Sequence, residues 1–319
     1  MMRPSMPPST PIPIPVPAIE WLWVPIVLWA AFAQTARNAA QRSLVAQAGT
    51  LGATLARFLY GLPFAAAWVL VLHALPGRPA VPAFSGSYFA WLMLGAASQL
   101  AATACLLAAM KQRNFVVGVA YSKTDALQVA VFATLFLREL PGGWTLLAMA
   151  LATTGVVLLS LPQKPGATTG RDWAGSAALW GLASGAGFAL SAVGYRGAAL
   201  ALPDASAWVS GAWGVLWAQA AQTVVLGGWL AVRSPQALRA TATAWRASIL
   251  AGLAGALASL GWFTAFALTT AANVRTLGLA EVVFSYLVSR RLLSEKLVPL
   301  EQAGLLLVTA GLLAMVASL

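Results

Sequence analysis

The sequence predicts an all-α integral membrane protein of ten transmembrane helices arranged as two inverted five-helix repeats. Three observations lead there. Of 319 residues, 60% are hydrophobic and only 8% are charged, whereas an ordinary soluble domain carries roughly a quarter charged residues. Apolar stretches of membrane-crossing length recur ten times with short links between them. A gap-free shift of 156 residues relates the two halves of the chain.

Residues 1–18 hold seven of the eighteen prolines, four of them in a run from Pro11 to Pro17 that favours extended polyproline II and cannot form an α-helix. This segment is predicted to be a disordered tail. Apolar segments then follow at 21–42, 51–73, 87–110, 114–137, 143–161, 173–201, 205–232, 245–268, 271–293 and 299–318. Each is close to the ~20 residues that cross a ~30 Å hydrocarbon core. Prolines punctuate the links at 76, 79, 82, 141, 162, 165, 203, 235 and 299, and only Pro25 and Pro63 fall inside spans. The predicted division is a first repeat over 19–161, a linker over 162–172 and a second repeat over 173–319. Strict two-residue alternation, which a membrane β-barrel needs, is missing from these segments. Trp21, Trp23, Trp144, Trp173, Trp208, Trp229 and Trp245 lie near span ends, where an indole settles at the headgroup level. The first span also looks like a signal peptide, with Ala31-Phe32-Ala33 as a cleavage site; removing it would leave four spans against five, so it is retained as a helix.

The shift of 156 maps Phe32 on Phe188, Thr35 on Ser191, Asp125 on Glu281, Glu139 on Glu295 and Gly155 on Gly311. Only eight carboxylates exist in the chain, so the acidic matches carry more weight than the alanine ones. Five spans per repeat is an odd number, so the second copy enters the bilayer from the opposite side. Such inverted repeats are the architecture of many secondary transporters.

The layout of five plus five spans, with Arg57-Phe58 in the second span, Leu137-Arg138-Glu139-Leu140 after the fourth, Ser294-Glu295-Lys296-Leu297 after its counterpart and Gly155 and Gly311 in the fifth and tenth, resembles the EamA branch of the drug/metabolite transporter superfamily. The resemblance covers residues 20–318. It implies export or exchange of small metabolites, amino acids or drug-like compounds by a multi-pass inner-membrane protein, with both termini cytoplasmic. The chain departs from that pattern by placing Lys123-Thr124-Asp125 and Arg275 within spans, so the substrate class does not carry over.

Charge distribution gives a second view of topology. The formal net charge is +11, but most cations sit in links, where they determine orientation and do not point to nucleic acid. Four lie on the side of the termini, eleven on the other side, and Arg37, Arg57, Lys123 and Arg275 lie within spans. Read by the positive-inside rule, eleven against four places the termini outside the cytoplasm, opposite to what the resemblance implies. Both readings keep the two termini on one side.

A charge at the centre of a lipid-facing helix costs roughly 2.5–3.5 kcal/mol, so Asp125, Lys123, Glu281 and Arg275 are expected to face the bundle interior. Asp125 and Glu281 are about ten residues into their spans, near mid-membrane. Helical spacing puts Tyr121 and Gln128 on the face of Asp125, and Ser285, Leu277 and Gly278 on that of Glu281. Gln34, Arg37, Asn38 and Gln41 form a polar face on the first span, of which Gln41 reads as the aqueous end. The candidate substrate and ion pathway is therefore Asp125, Glu281, Lys123, Arg275, Arg57, Tyr121, Gln128, Ser285, Gln34, Arg37 and Asn38. Within it, Asp125 and Glu281 either couple protonation to solute movement, with the cations as countercharges or carboxylate ligands, or serve as static ion pairs that fix helix packing.

Gly181, Ala183, Gly185 and Gly187 suit close packing of the sixth span. Glu139 and Glu295 suit interaction with a helix N-terminus, His73 an interface position, and Gly194-Tyr195-Arg196 a cavity mouth. One cysteine, Cys105, excludes an internal disulfide, and one histidine, His73, excludes paired-histidine metal motifs. With no cofactor or metal implied and no acid/base cluster, an enzyme acting on lipid substrates is disfavoured. The function expected is a proton-coupled secondary active transporter of small organic solutes in the cell (inner) membrane. A sugar-phosphate or nucleotide-sugar exchanger and a passive facilitator of the same fold are the alternatives.

Overall fold

The computed structural model describes residues 21–75, 79–111, 121–161, 175–293 and 299–317. The proline-rich tail and the predicted 162–172 linker lie outside these residues. The secondary structure among the described residues is helical throughout, with no strand. That is what a bilayer imposes on a chain whose backbone groups must be satisfied within each segment.

α1 is assigned over Trp23–Leu59, but Gly49 inside it has φ 69° and ψ 172°. Only glycine adopts this backbone without strain, and here it reverses the chain. The Gln41 amide donates to the Ala53 carbonyl at 2.8 Å, and Leu44, Ala48, Ala53 and Ala56 share one buried cluster with Ala251. In an unbroken helix residues 41 and 53 would stand about 18 Å apart. The first predicted segment thus continues six residues past 42, and the predicted eight-residue link shrinks to the single residue Gly49. The returning arm runs to Leu59 and, after a turn at Tyr60-Gly61, enters α2 (Leu62–Ala74). Pro63 in the first turn of α2 accounts for that interruption, since it cannot donate to the preceding turn.

The remaining elements are α3 (Gly86–Met110), α4 (Asp125–Phe132) followed by a π-helical turn Ala133–Leu137, α5 (Gly143–Leu159), α6 (Ser176–Leu200), α7 (Ala207–Arg233), α8 (Pro235–Thr243), α9 (Trp245–Leu268), α10 (Ala271–Gly278), α11 (Ala280–Leu293) and α12 (Pro299–Ala317). Ser85, Ser206 and Thr270 cap α3, α7 and α10 by accepting from the backbone N–H three residues on. Six stretches among the described residues are long and apolar enough to cross a membrane: Leu44–Ala74, Gly86–Ala109, Ser176–Leu200, Ala207–Arg233, Trp245–Leu268 and Pro299–Ala317. The protein is therefore a multi-pass α-helical membrane protein. Asp125–Leu137 and Gly143–Leu159 are shorter apolar helices.

Three helix pairs make the most extensive contacts: α1 with α9, α3 with α6, and α5 with α12. Small residues set their approach, as they do wherever apolar side chains gain nothing by leaving lipid. A Cβ on Gly155 would lie 2.5 Å from the Gly304 carbonyl oxygen, and one on Gly311 would lie 2.7 Å from that of Ala148. A Cβ on Gly187 would meet Ala102, and one on Gly261 would meet Ala30. The predicted close packing of the sixth span holds at Gly185 and Gly187, against Gln128 and Ala102.

Candidate functional site

The site begins where two helices are interrupted. Residues 123–124 form a turn before α4, and Leu279 separates α10 from α11. Thr124 stabilises the first interruption by donating its hydroxyl to the Tyr121 carbonyl at 2.7 Å. The next helix in each case has an acid in its first turn, Asp125 in α4 and Glu281 in α11. A carboxylate is favoured there by the unpaired N–H groups and the helix dipole.

Each acid is then engaged by groups from distant segments. Asp125 is buried and ion-paired with Arg275 of α10. Glu281 accepts from the Gln34 amide at 2.5 Å and from the Asn38 amide at 2.8 Å. Gln34 is oriented in turn by the Trp262 indole, which donates to its Oε1 at 2.9 Å. Arg37 donates to the Asn38 Oδ1 at 2.8 Å, so a continuous chain of polar contacts runs from Trp262 through Gln34, Glu281 and Asn38 to Arg37.

The Gly49 reversal brings Arg57 back to this chain. A Cβ on Gly255 of α9 would lie 3.4 Å from the Arg57 Cβ and 3.5 Å from the Arg37 Cδ, so both arginines pass the same point. The Arg57 guanidinium lies 4.4 Å from the Phe58 ring centroid. Its Nε and Nη2 are buried and have no hydrogen-bond partner among the described residues.

These groups border one cavity of about 430 Å³, whose walls come from α1, α3, residues 122–125, α6, α10 and α11. Arg37, Arg57, Lys123, Arg275, Asp125 and Glu281 all line it. It continues past Arg57 and Gln99 into a narrower recess walled by Tyr195, Gln219, Gln222 and Trp262. A volume of this order lies within the usual range of small-molecule sites, ~300–1,000 Å³.

Of the residues singled out in the sequence, Gln34, Arg37, Asn38, Arg57, Lys123, Asp125, Arg275 and Glu281 meet at the cavity, as does Gln41. Tyr121, Gln128 and Ser285 do not line it. The turn at 123–124 separates Tyr121 from the helix that carries Asp125, so those two do not share one helical face. Gln128 instead donates to the Thr124 hydroxyl at 2.9 Å and packs on Gly185. Ser285 lies 3.5 Å from the Thr35 hydroxyl.

Sequence reading missed the amide wall. Tyr195 and Gln222 both donate to Gln99 Oε1, at 2.9 and 2.6 Å. Polar amides inside apolar spans, at 99, 219 and 222, were the available signal. Three other residues have partners the sequence did not suggest. His73 contacts the Pro79 carbonyl at 2.7 Å and accepts from the Trp213 indole at 3.1 Å. Glu139 accepts from Arg196 at 2.7 Å and from the Ala271 N–H at 3.4 Å, and so caps α10 rather than the helix that follows it in sequence. Arg196 also donates to the Phe266 carbonyl at 2.8 Å. Glu295 lies outside the described residues.

Fold and site together define a multi-pass helical membrane protein with a charged central cavity. No family model and no curated protein matches the chain. Among solved structures 23 chains match. One, described only as "Crystal structure of protein", is similar with a TM-score of 0.67 and 14% identity, over 92% of this chain and 96% of that one. At that identity the likeness concerns the fold alone.

Proposed function

We propose that this chain is a secondary active transporter, an EamA-type exporter or exchanger of small organic solutes that works by alternating access. The observation that carries the reading is the cavity, which gathers four in-span cations and two in-span carboxylates from segments far apart in sequence. Charges inside membrane segments are expensive and mark solute or ion pathways.

The packing supports an inverted repeat of five plus five spans. Shifted by 156 residues, α1 before Gly49 falls on α6, α3 on α9 and α5 on α12. The two largest interfaces, α1 with α9 and α6 with α3, are then each other's counterparts. The α5–α12 interface maps onto itself: the approach of Gly155 to Gly304 becomes that of Gly311 to Ala148. The interruptions before Asp125 and before Glu281 also correspond. Broken helices at equivalent positions in two inverted repeats, with the site beside them, are the pattern of alternating-access transporters.

In this reading Asp125 and Glu281 take and release the coupling proton. Each is held by partners that a change of state would rearrange. The Arg196–Glu139 pair, which ties α6 to α9 and α10 next to Phe266 of the recess, is in this reading a gate. Proteoliposome flux tests the proposal. Asp125→Asn and Glu281→Gln each abolish solute flux driven by a pH gradient at unchanged protein level, and full retention of flux in both would refute the coupling roles.

A further inference from the structure

We propose that the transported solute is an organic anion whose carboxylate or phosphate group docks on Arg57, with Arg37 beside it. The inference rests on the transport reading for the words "transported solute", but the site itself stands on local geometry.

Charge comes first. The cavity wall carries Arg37, Arg57, Lys123 and Arg275 against Asp125 and Glu281, a formal excess of two positive charges. Both acids are already committed, Asp125 to Arg275 and Glu281 to the amides of Gln34 and Asn38. A low-dielectric interior does not hold surplus charge without a counterion.

Hydrogen bonding comes second. Arg57 projects a planar fork of donors that matches carboxylate and phosphate oxygens two at a time. Its Nε and Nη2 are buried and unpaired among the described residues, while its stem is fixed against Gly255 and its head against Phe58. Arg57 lies in the last turn of α1, where the helix C-terminus supplies some negative potential, yet no acceptor among the described residues reaches those two nitrogens. In contrast, the Arg196 guanidinium donates from Nε to Glu139 and from Nη1 to Phe266. An arginine held rigid and left unpaired beside an open cavity is built for a ligand.

The neighbours refine the class. Gln219, in the same recess, keeps a buried Oε1 with no partner among the described residues, an acceptor suited to a hydroxyl or amino group on the solute. The chemistry is therefore that of a hydroxy or amino acid, or of a sugar or polyol phosphate.

The test uses full-length protein in nanodiscs of phosphatidylcholine, which carry no anionic lipid to occupy the site. Malate and glycerol 3-phosphate serve as probes, with glucose and tetraphenylphosphonium as neutral and cationic controls, and binding is read by calorimetry and thermal stabilisation. At least one anion binds, and the preferred one tells carboxylate from phosphate. Arg57→Gln weakens it about tenfold or more, the loss expected of one charge-assisted hydrogen-bonded pair, Arg57→Lys retains part of the affinity, and Arg138→Gln, at an exposed turn, leaves it unchanged. Arg37→Gln, which leaves Arg57 in place, lowers affinity less. Unchanged anion binding in Arg57→Gln, no anion binding in the parent, or binding of the neutral or cationic probe alone would overturn the proposal. Counterflow in proteoliposomes separates the two readings. An anion that binds through Arg57 without flux removes the transport reading and leaves the site, whereas flux of a neutral or cationic solute without anion binding does the reverse.

Discussion

Asp125 and Arg275, 150 residues apart in the chain, meet as an ion pair at the cavity wall. Asp125 opens a helix in one half of the protein and Arg275 lies in the last turn of a helix in the other, so the pair ties the two halves together. Breaking a buried pair strands the remaining charge, at a cost of about 3–5 kcal/mol. Arg275 keeps a quarter of its side chain accessible, which puts the expected loss at the low end. Asp125→Asn should therefore lower thermal stability in detergent, and the double variant Asp125→Asn/Arg275→Gln should recover most of it. A double variant as unstable as the single one would show that the pair is not the source.

The α5–α12 interface depends on the absence of side chains. Gly155→Leu forces carbon into a gap where even a Cβ would stand 2.5 Å from the Gly304 carbonyl oxygen. Overpacking of this kind costs at least 1–3 kcal/mol. Gly142→Ala, just before the same helix, meets nothing within 4 Å and serves as the control. Melting curves should show a drop of several degrees for the first and little change for the second; equal curves would mean that the interface is looser than its backbone contacts imply.

The membrane fold was legible because composition and segment length are set by the bilayer, which acts on every residue alike. The charged residues of the site were legible for the same reason: in so apolar a chain, Asp125, Glu281 and Arg57 are costly unless they converge. Their partners were not. That Glu281 is held by Gln34 and Asn38, or that Arg196 finds Glu139, depends on which helices become neighbours, and no local pattern encodes that. Tyr121 shows a second limit, since a face drawn with an unbroken helical period fails where Thr124 bonds back to Tyr121 and interrupts the helix.

The Arg196 guanidinium joins Glu139 to the carbonyl of Phe266, and Glu139 reaches the first N–H of α10. If this cluster is a gate of the proposed transport cycle, it opens once per turnover. Arg196→Ala removes its centre, so a cysteine introduced at Thr270, in a background with Cys105 replaced by serine, should react faster with a membrane-impermeant maleimide than it does with Arg196 in place. An unchanged rate would mean that the cluster holds the fold without acting as a gate.

Gly49 tests whether the reversal of α1 is what brings the two arginines together. Its φ of 69° and ψ of 172° belong to a region that a side chain occupies only at a cost of about 1–3 kcal/mol, and nothing stands within 4 Å of an added Cβ. Gly49→Ala therefore isolates backbone strain from packing. Gly86→Ala, likewise open but with no positive φ, should change stability by less than about 0.5 kcal/mol. If the strain is relieved by reshaping the turn, Arg57 shifts relative to Arg37 at Gly255, and affinity for an anionic probe should fall together with the melting temperature. A Gly49→Ala protein as stable as the parent would show that the chain reverses by another backbone route, and intact anion binding in a destabilised one would show that the arginines converge without help from this turn.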